Sequence, residues 1–217
     1  MELPKVTAEL ILCESETIDE VKSLQKRSYS IEVELMKKGF HTCGQRISIV
    51  GTTGSGKTTL AQNIAQHFQI PHIELDALYW EPNWTAASEQ VFRDRVLKAL
   101  KGDRWVIDGN YSKVRDIVWS QADTVVFLDY SFWLVMRQLL RRTLRRSLKQ
   151  EELWNGNRES IWKSFFTQES ILLWMLQTYQ RNRKKYPALF QQSEYVQLSV
   201  VHLQSPQMTN EWLLSFK

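Results

Sequence analysis

From residue 46 onward, short apolar runs alternate with stretches whose apolar residues recur every three or four positions. The runs at 46–50, 72–75, 104–107, 124–128 and 195–203 read as strands. Between the first two, Leu60, Ala61, Ile64, Ala65 and Phe68 share one face of a helix over 58–68. Thr85 is placed to cap a second helix that runs to Leu100 and stops at Gly102. Residues 131–185 predict a long helical stretch with a basic middle, and 210–216 a last helix. Strands that alternate with helices imply a parallel sheet covered on both faces. In such sheets, ligands bind at the carboxyl ends of the strands.

The first 45 residues follow a different pattern. They carry eight acids and six bases, whereas the whole chain has a net charge of +4. Thr17, Ile18, Asp19 and Glu20 have the form of a capping box. Ile18, Val21, Leu24, Ile31 and Leu35 then recur at helical spacing up to Gly39. This extension, 1–45, predicts a helix of unassigned role, with Met36 as an alternative start of the chain. Residues 46–217 form the main domain.

Composition narrows the class. Apolar residues make up 43% of the 217 and charged residues 24%, which is a globular balance. No apolar run reaches the roughly 18 residues of a membrane span, and the N-terminus lacks a secretory pattern. Only Cys13 and Cys43 are present, and no His/Cys cluster has zinc spacing. A reduced, cytoplasmic setting is the expectation. A modest positive charge suits phosphate ligands.

The strongest signal is G-T-T-G-S-G-K-T at 51–58, which meets G-x-x-x-x-G-K-S/T without a gap. Chance supplies that pattern in about 1% of chains this long. Glycines let successive main-chain N–H groups turn toward one anion, and the following helix adds its positive end. Lys57 supplies a point charge for the β- and γ-phosphates, and the Thr58 hydroxyl suits Mg²⁺. Gly51, Thr52, Thr53, Gly54, Ser55, Gly56, Lys57, Thr58 and Thr59 are therefore the candidate contacts for ATP.

Three acids end predicted strands: Asp76, Asp108 and Asp129. Parallel topology brings strand ends of this kind together near the phosphates. Asp108 is the candidate for Mg²⁺, with Thr58, and Asp76 for the acceptor side. A helix or turn cap is the plain alternative for each, and the stronger reading for Asp129. Their followers are Gly109, Ala77 and Tyr130, so none has the adjacent Glu that hydrolases of this type use to activate water. That favours transfer to a bound acceptor.

Residues 132–150 hold a second signal. Trp133, Met136, Leu140, Leu144 and Leu148 mark one helical stripe, and Arg137, Arg141 and Arg145 another, with Arg142 and Arg146 alongside. From 137 to 150 there are six bases and no acid, so solvent or an anionic partner must offset the repulsion. Arg137, Arg141 and Arg145 are the candidates to neutralise a transferring phosphoryl group. A solvated face, or a nucleic-acid patch, is the alternative. Tyr79, Trp80 and Trp84 form either a stacking wall for an acceptor or packing beneath a loop. G-N-R-E at 156–159 reads as a hinge, a substrate contact or a plain capped turn.

The blocks G-T-T-G-S-G-K-T, L-D-A-L-Y-W-E-P-N-W, W-V-I-D-G-N-Y, A-D-T-V-V-F-L-D-Y, R-R-T-L-R-R and E-L-W-N-G-N-R-E-S occur in unbroken order. Over about 46–217 the chain resembles bacterial adenylate-kinase-related proteins known as DNA topology modulation proteins. The resemblance implies an α/β fold, a three-layer α/β/α P-loop NTPase of nucleoside-kinase type. Its five-stranded parallel sheet would have the order 2-3-1-4-5. It further implies ATP at Gly51–Thr58, Asp108 near Mg²⁺ and a lid-like arginine region at 137–146. The loop is not the G-x-P-G-x-G-K form of true adenylate kinases, which argues against AMP as acceptor. The resulting expectation is a kinase that moves the γ-phosphate of ATP to a small-molecule or nucleotide acceptor, as a monomer or homodimer. The second expectation is an ATP-binding regulatory protein that contacts nucleic acid through its arginine-rich helix.

Overall fold

The computed structural model describes residues 45–157 and 171–216. The helix expected over 18–35 lies outside them, as do Arg158 and Glu159 of the G-N-R-E turn. In chain order the first elements are β1 (Arg46–Gly51), α1 (Lys57–Phe68), β2 (His72–Glu74), α2 (Leu75–Tyr79), β3 (Trp80–Glu81) and β4 (Thr85–Ala86). Then follow α3 (Glu89–Ala99), β5 (Trp105–Asp108), α4 (Arg115–Gln121), β6 (Thr124–Leu128) and α5 (Phe132–Lys149). The last are α6 (Ile171–Phe190), β7 (Ser199–Leu203) and α7 (Pro206–Leu214).

Five of the strands pair in parallel in the order β2-β5-β1-β6-β7. Numbered within the sheet alone, that order is 2-3-1-4-5, the expected one. β1, β5 and β6 are buried along nearly their whole length, as strands covered on both faces must be. One face carries Val50, Ile73, Ile107, Val125 and Phe127 against Phe92 and Val96 of α3, Trp119 of α4, and Tyr186 and Leu189 of α6. Helix α1 packs on β1 and β5 through its buried face, Leu60, Ala61 and Ile64. Burying a side chain the size of Leu60 or Ile64 contributes about 2 kcal/mol. The chain thus has the three-layer α/β/α P-loop kinase fold.

Register sets the site. Glu74 pairs with Asp108, and Asp108 with Ile49, two residues before Gly51. Three neighbouring strands therefore deliver Glu74, Asp108 and the phosphate loop to one edge of the sheet.

Several boundaries differ from expectation, each for a local reason. Ser88, not Thr85, caps α3, accepting from the Val91 N–H at 3.4 Å. Thr85 is used instead in the antiparallel pair β3–β4. Within the 131–185 helical stretch, Gln150 turns left-handed at φ 48° and ends α5. β7 begins at Ser199, because Ser193–Tyr195 is a 3-10 turn, and Ser205 caps α7 well before residue 210. Helix α5 turns Val135, Leu139, Thr143 and Ser147 inward. The expected apolar stripe lies elsewhere: Trp133 is 78% exposed and Leu148 74%. Both stripes share helical spacing, so periodicity cannot choose between them. The close approach of Leu139 to the phosphate loop selects the inward one.

Candidate functional site

The loop between β1 and α1 has the shape its glycines permit. Gly56 precedes the helix at φ 93°, a conformation that disfavours any side chain, and no side chain caps α1. A Cβ at Gly56 would meet nothing within 4 Å, so the space before the helix is open. The first-turn N–H groups of α1 are thus left for a ligand, at the positive end of a twelve-residue helix. Gly54 is left-handed at φ 83°, and a Cβ there would stand 2.9 Å from Cβ of Leu139. The arginine-bearing helix therefore lies directly against the loop. Ser55 N–H closes the turn on the Thr52 carbonyl at 3.0 Å.

One sequence block reaches this loop and its surroundings three times. Asp108, only 6% exposed, accepts the Thr58 hydroxyl on Oδ2 at 2.7 Å and meets His72 Nε2 with Oδ1 at 2.8 Å. Asn110 clamps Gly51 from both sides, accepting its N–H at 3.2 Å and donating to its carbonyl. Tyr186 of α6 donates to the same Asn110 Oδ1 at 3.0 Å. Tyr111 donates its hydroxyl to Oδ1 of Asp76 at 2.5 Å. The W-V-I-D-G-N-Y segment thus couples the loop, the acid at its side and the acid on α2.

The charges form one electrostatic group. Lys57 Nζ donates to the Thr52 carbonyl at 3.2 Å. Burial lowers the Lys57 pKa; Asp108 and Asp76 oppose that, and Arg142 adds to it. Burial raises the Asp76 carboxyl, and the Tyr111 hydrogen bond is the largest force against it, ahead of Lys57. The Tyr111 hydroxyl is pushed far above its ordinary range, mainly by burial and then by Asp76. Lys57, Asp76, Asp108 and Arg142 therefore feel one another directly.

Of the five expected arginines, Arg142 is the one whose charge acts on Lys57 and Asp76. Arg137 and Arg141 lie on the exposed face of α5, and Arg145 pairs with Glu151 at 3.3 Å. Arg142 stands one residue off that stripe and is half-buried. Asp129 is held by Arg183 at 2.8 Å and His202 at 3.1 Å, which ties β6 to α6 and β7.

The aromatics after α2 are packed together. Tyr79 meets Trp80, Phe92 and Tyr111, and Trp84 stands edge-on between Trp80 and Trp154. The 154–157 turn docks on the β3–β4 hairpin. Asn157 accepts the Trp84 N–H at 2.8 Å and donates to the Glu81 carbonyl at 2.9 Å. Trp154 Nε1 donates to Glu74 at 2.8 Å. His72, Asn110 and Tyr111 had no role assigned from sequence, and Arg142 was one of the five arginines but not among the three favoured. Asn110 and Tyr111 sat inside a quoted block, which was the available signal. His72 had none.

Among the described residues, no group of three or more His, Cys, Asp or Glu side chains could hold a metal ion unaided. Thr58 and Asp108 nevertheless suit Mg²⁺, which takes few protein oxygens and completes its octahedron with phosphate and water. No helix among the described residues is long and apolar enough to cross a membrane.

A family model described as the NB-ARC domain matches residues 25–129. No curated protein matches the sequence. Among solved structures, shikimate kinase from Bacteroides thetaiotaomicron is similar at 14% identity and a TM-score of 0.46, over 79% of this chain and 96% of that one. A gluconokinase from Sinorhizobium meliloti 1021 is similar at 19% and 0.44, over 78% and 90%. Shikimate kinase from Aquifex aeolicus is similar at 16% and 0.45, over 78% and 94%. Likenesses this distant say nothing of an acceptor; the fold rests on the chain's own sheet order and loop.

Proposed function

We propose that this P-loop NTPase is a kinase that transfers the γ-phosphoryl group of ATP to a small-molecule or nucleotide acceptor. The supporting observation is the Thr58–Asp108 hydrogen bond beside an uncapped helix N-terminus, with Lys57 and Asp76 in the same electrostatic group. The main-chain amides of 51–59 hold the triphosphate, and Lys57 neutralises its β- and γ-oxygens. Thr58 and Asp108 hold Mg²⁺, which when bound supplies further charge neutralisation there. Asp76 serves the acceptor. Arg142 joins Lys57 at the transferring group, and Arg137, Arg141 and Arg145 are at most parts of a lid over it. Catalysis is mainly positioning and charge stabilisation. The protein works in the cytoplasm.

The test uses γ-labelled ATP with Mg²⁺ and panels of nucleosides, nucleotides and sugars. Label is expected in an acceptor, and Lys57→Ala is expected to abolish turnover without changing the circular dichroism spectrum. Wild-type turnover in folded Lys57→Ala protein would overturn the reading.

One observation favours a second reading. The outer face of α5 shows Arg137 and Arg141 to solvent with the ring of Trp133, a combination suited to nucleic acid. The protein would then use ATP as a switch, as in a DNA topology modulation role. Each phosphate contact on duplex DNA adds about −0.9 to the log–log salt slope, so contact through Arg137 and Arg141 gives about −1.8 and recruitment of further arginines a steeper value. A flat salt response rejects this reading.

A further inference from the structure

We infer that the acceptor is an alcohol, whose hydroxyl Oδ2 of Asp76 receives while Tyr111 positions that carboxylate through Oδ1. The inference rests on the phosphotransferase reading and adds the class of the second substrate.

The geometry carries it. Tyr111 takes Oδ1 at 2.5 Å, and the Trp80 side chain adjoins the Tyr111 hydroxyl. Among the described residues, nothing donates to Oδ2 of Asp76. One oxygen is fixed and the other is available to an incoming donor. A hydroxyl is such a donor, whereas an ionised phosphate has only acceptor oxygens and would meet a carboxylate with like charge.

The neighbours point the same way. Asp76 faces Lys57 of α1, Asp108 of β5, Arg142 of α5 and Tyr111. On the phosphotransferase reading, Lys57 and Arg142 serve the transferring phosphate. Nearby Arg95 is committed to Glu81 at 2.8 Å, and Arg93 to Asp116 at 2.7 Å. Among the described residues, Tyr79 packs on Trp80 and on Tyr111, the partner of Asp76, and Lys113 Nζ stands 6.0 Å from the Tyr79 ring, paired with Glu89 at 4.0 Å. Aromatic walls of this kind suit the apolar faces of a sugar or other ring-bearing alcohol.

The step balances. The acceptor oxygen forms a bond to Pγ, the bond from Pγ to the β,γ-bridging oxygen breaks, and ADP leaves with that electron pair. The hydroxyl proton passes to Oδ2 of Asp76. Tyr111 is a positioning residue: it orients the carboxylate and favours its ionised form against the effect of burial.

Full-length protein is incubated with γ-labelled ATP, Mg²⁺ and a deproteinised small-molecule extract, and labelled product is heated in mineral acid. Label in an acid-stable monoester is expected. Label in an acid-labile anhydride overturns the inference and leaves the kinase reading standing. Label only in inorganic phosphate, or no turnover, overturns both. With the labelled acceptor, Tyr111→Phe is expected to lower kcat about tenfold, leave the KM for ATP unchanged and move the acidic limb of kcat/KM to higher pH. An unmoved limb with unchanged kcat removes Tyr111 from the role.

Discussion

Thr58 donates its hydroxyl to Oδ2 of Asp108 at 2.7 Å, joining the first turn of α1 to the end of β5. The other carboxylate oxygen meets His72 at 2.8 Å, so Asp108 is held from two elements. Outer contacts of this kind typically change metal affinity 10–100-fold when lost. His72→Ala is therefore expected to raise the Mg²⁺ concentration needed for half-maximal ATP turnover at least about tenfold. Thr58→Ala should raise it further, since it removes the oxygen meant for the ion. A Mg²⁺ titration identical to wild type in both variants would detach this pair from metal binding.

Asp76 gives a prediction in stability instead of rate. Its folded pKa lies above the ordinary carboxylate value of 3.8, with burial the main cause. The folded state therefore binds more protons than the unfolded one just above pH 3.8, and stability falls as pH rises through that window. Asp76→Asn cannot ionise and keeps an oxygen for Tyr111. The free variant is expected to melt above wild type at pH 7, with the gap closing as pH falls toward 4, while kinase turnover collapses. Equal melting temperatures at pH 7 would show that the ionised carboxylate is not under strain.

The contrast between α1 and α5 shows what a sequence exposes. The loop at 51–58 was legible because its chemistry is contiguous: eight adjacent residues set both the turn and the helix start. The sheet was legible because 46–50, 105–107 and 124–128 are near-continuous apolar runs between helical patterns. Helix α5 was legible as a helix but its inward face was not, because two stripes at equal spacing compete and Leu139 against Gly54 decides between them. The β3–β4 hairpin escaped because its strands have two residues each, too few for an alternating pattern. Its turn sets Asn83 and Trp84 left-handed at φ 62° and 56°, and a tryptophan does not announce that conformation. Asp108 and Asp76 could be picked out by their place at strand ends, but the Tyr111 contact to Asp76 spans 35 residues and no local pattern encodes it.

Asp129 ends β6 as Asp108 ends β5, yet its contacts are structural. It is 9% exposed, whereas its partners Arg183 and His202 remain about 40% exposed at their side chains. Removing the buried member leaves two groups that water can solvate, so the loss is smaller than for stranding a buried charge. Asp129→Ala is expected to cost about 1–2 kcal/mol, or roughly 3–6 °C in Tm for a chain of this size. ATP turnover at 20 °C should stay within about twofold of wild type. Loss of turnover in the folded variant would return Asp129 to the site.

Asn157 holds the strained hairpin. It is 4% exposed and links three main-chain groups: it accepts from Trp84 N–H and donates to the carbonyls of Glu81 and Trp154. Left-handed backbone at a bulky residue costs on the order of 1–3 kcal/mol and persists only where surrounding contacts over-determine it. Asn157→Ala removes those contacts and leaves the part-buried N–H of Trp84 without the Asn157 acceptor. The expected loss is about 2–3 kcal/mol, or roughly 6–9 °C in Tm. Trp80 leads from this hairpin to Tyr111 and so to Asp76. The variant should therefore raise the acceptor KM more than the ATP KM, measured below its melting point. Equal increases in the two constants would mean that the hairpin supports the fold as a whole and not the acceptor side of the site.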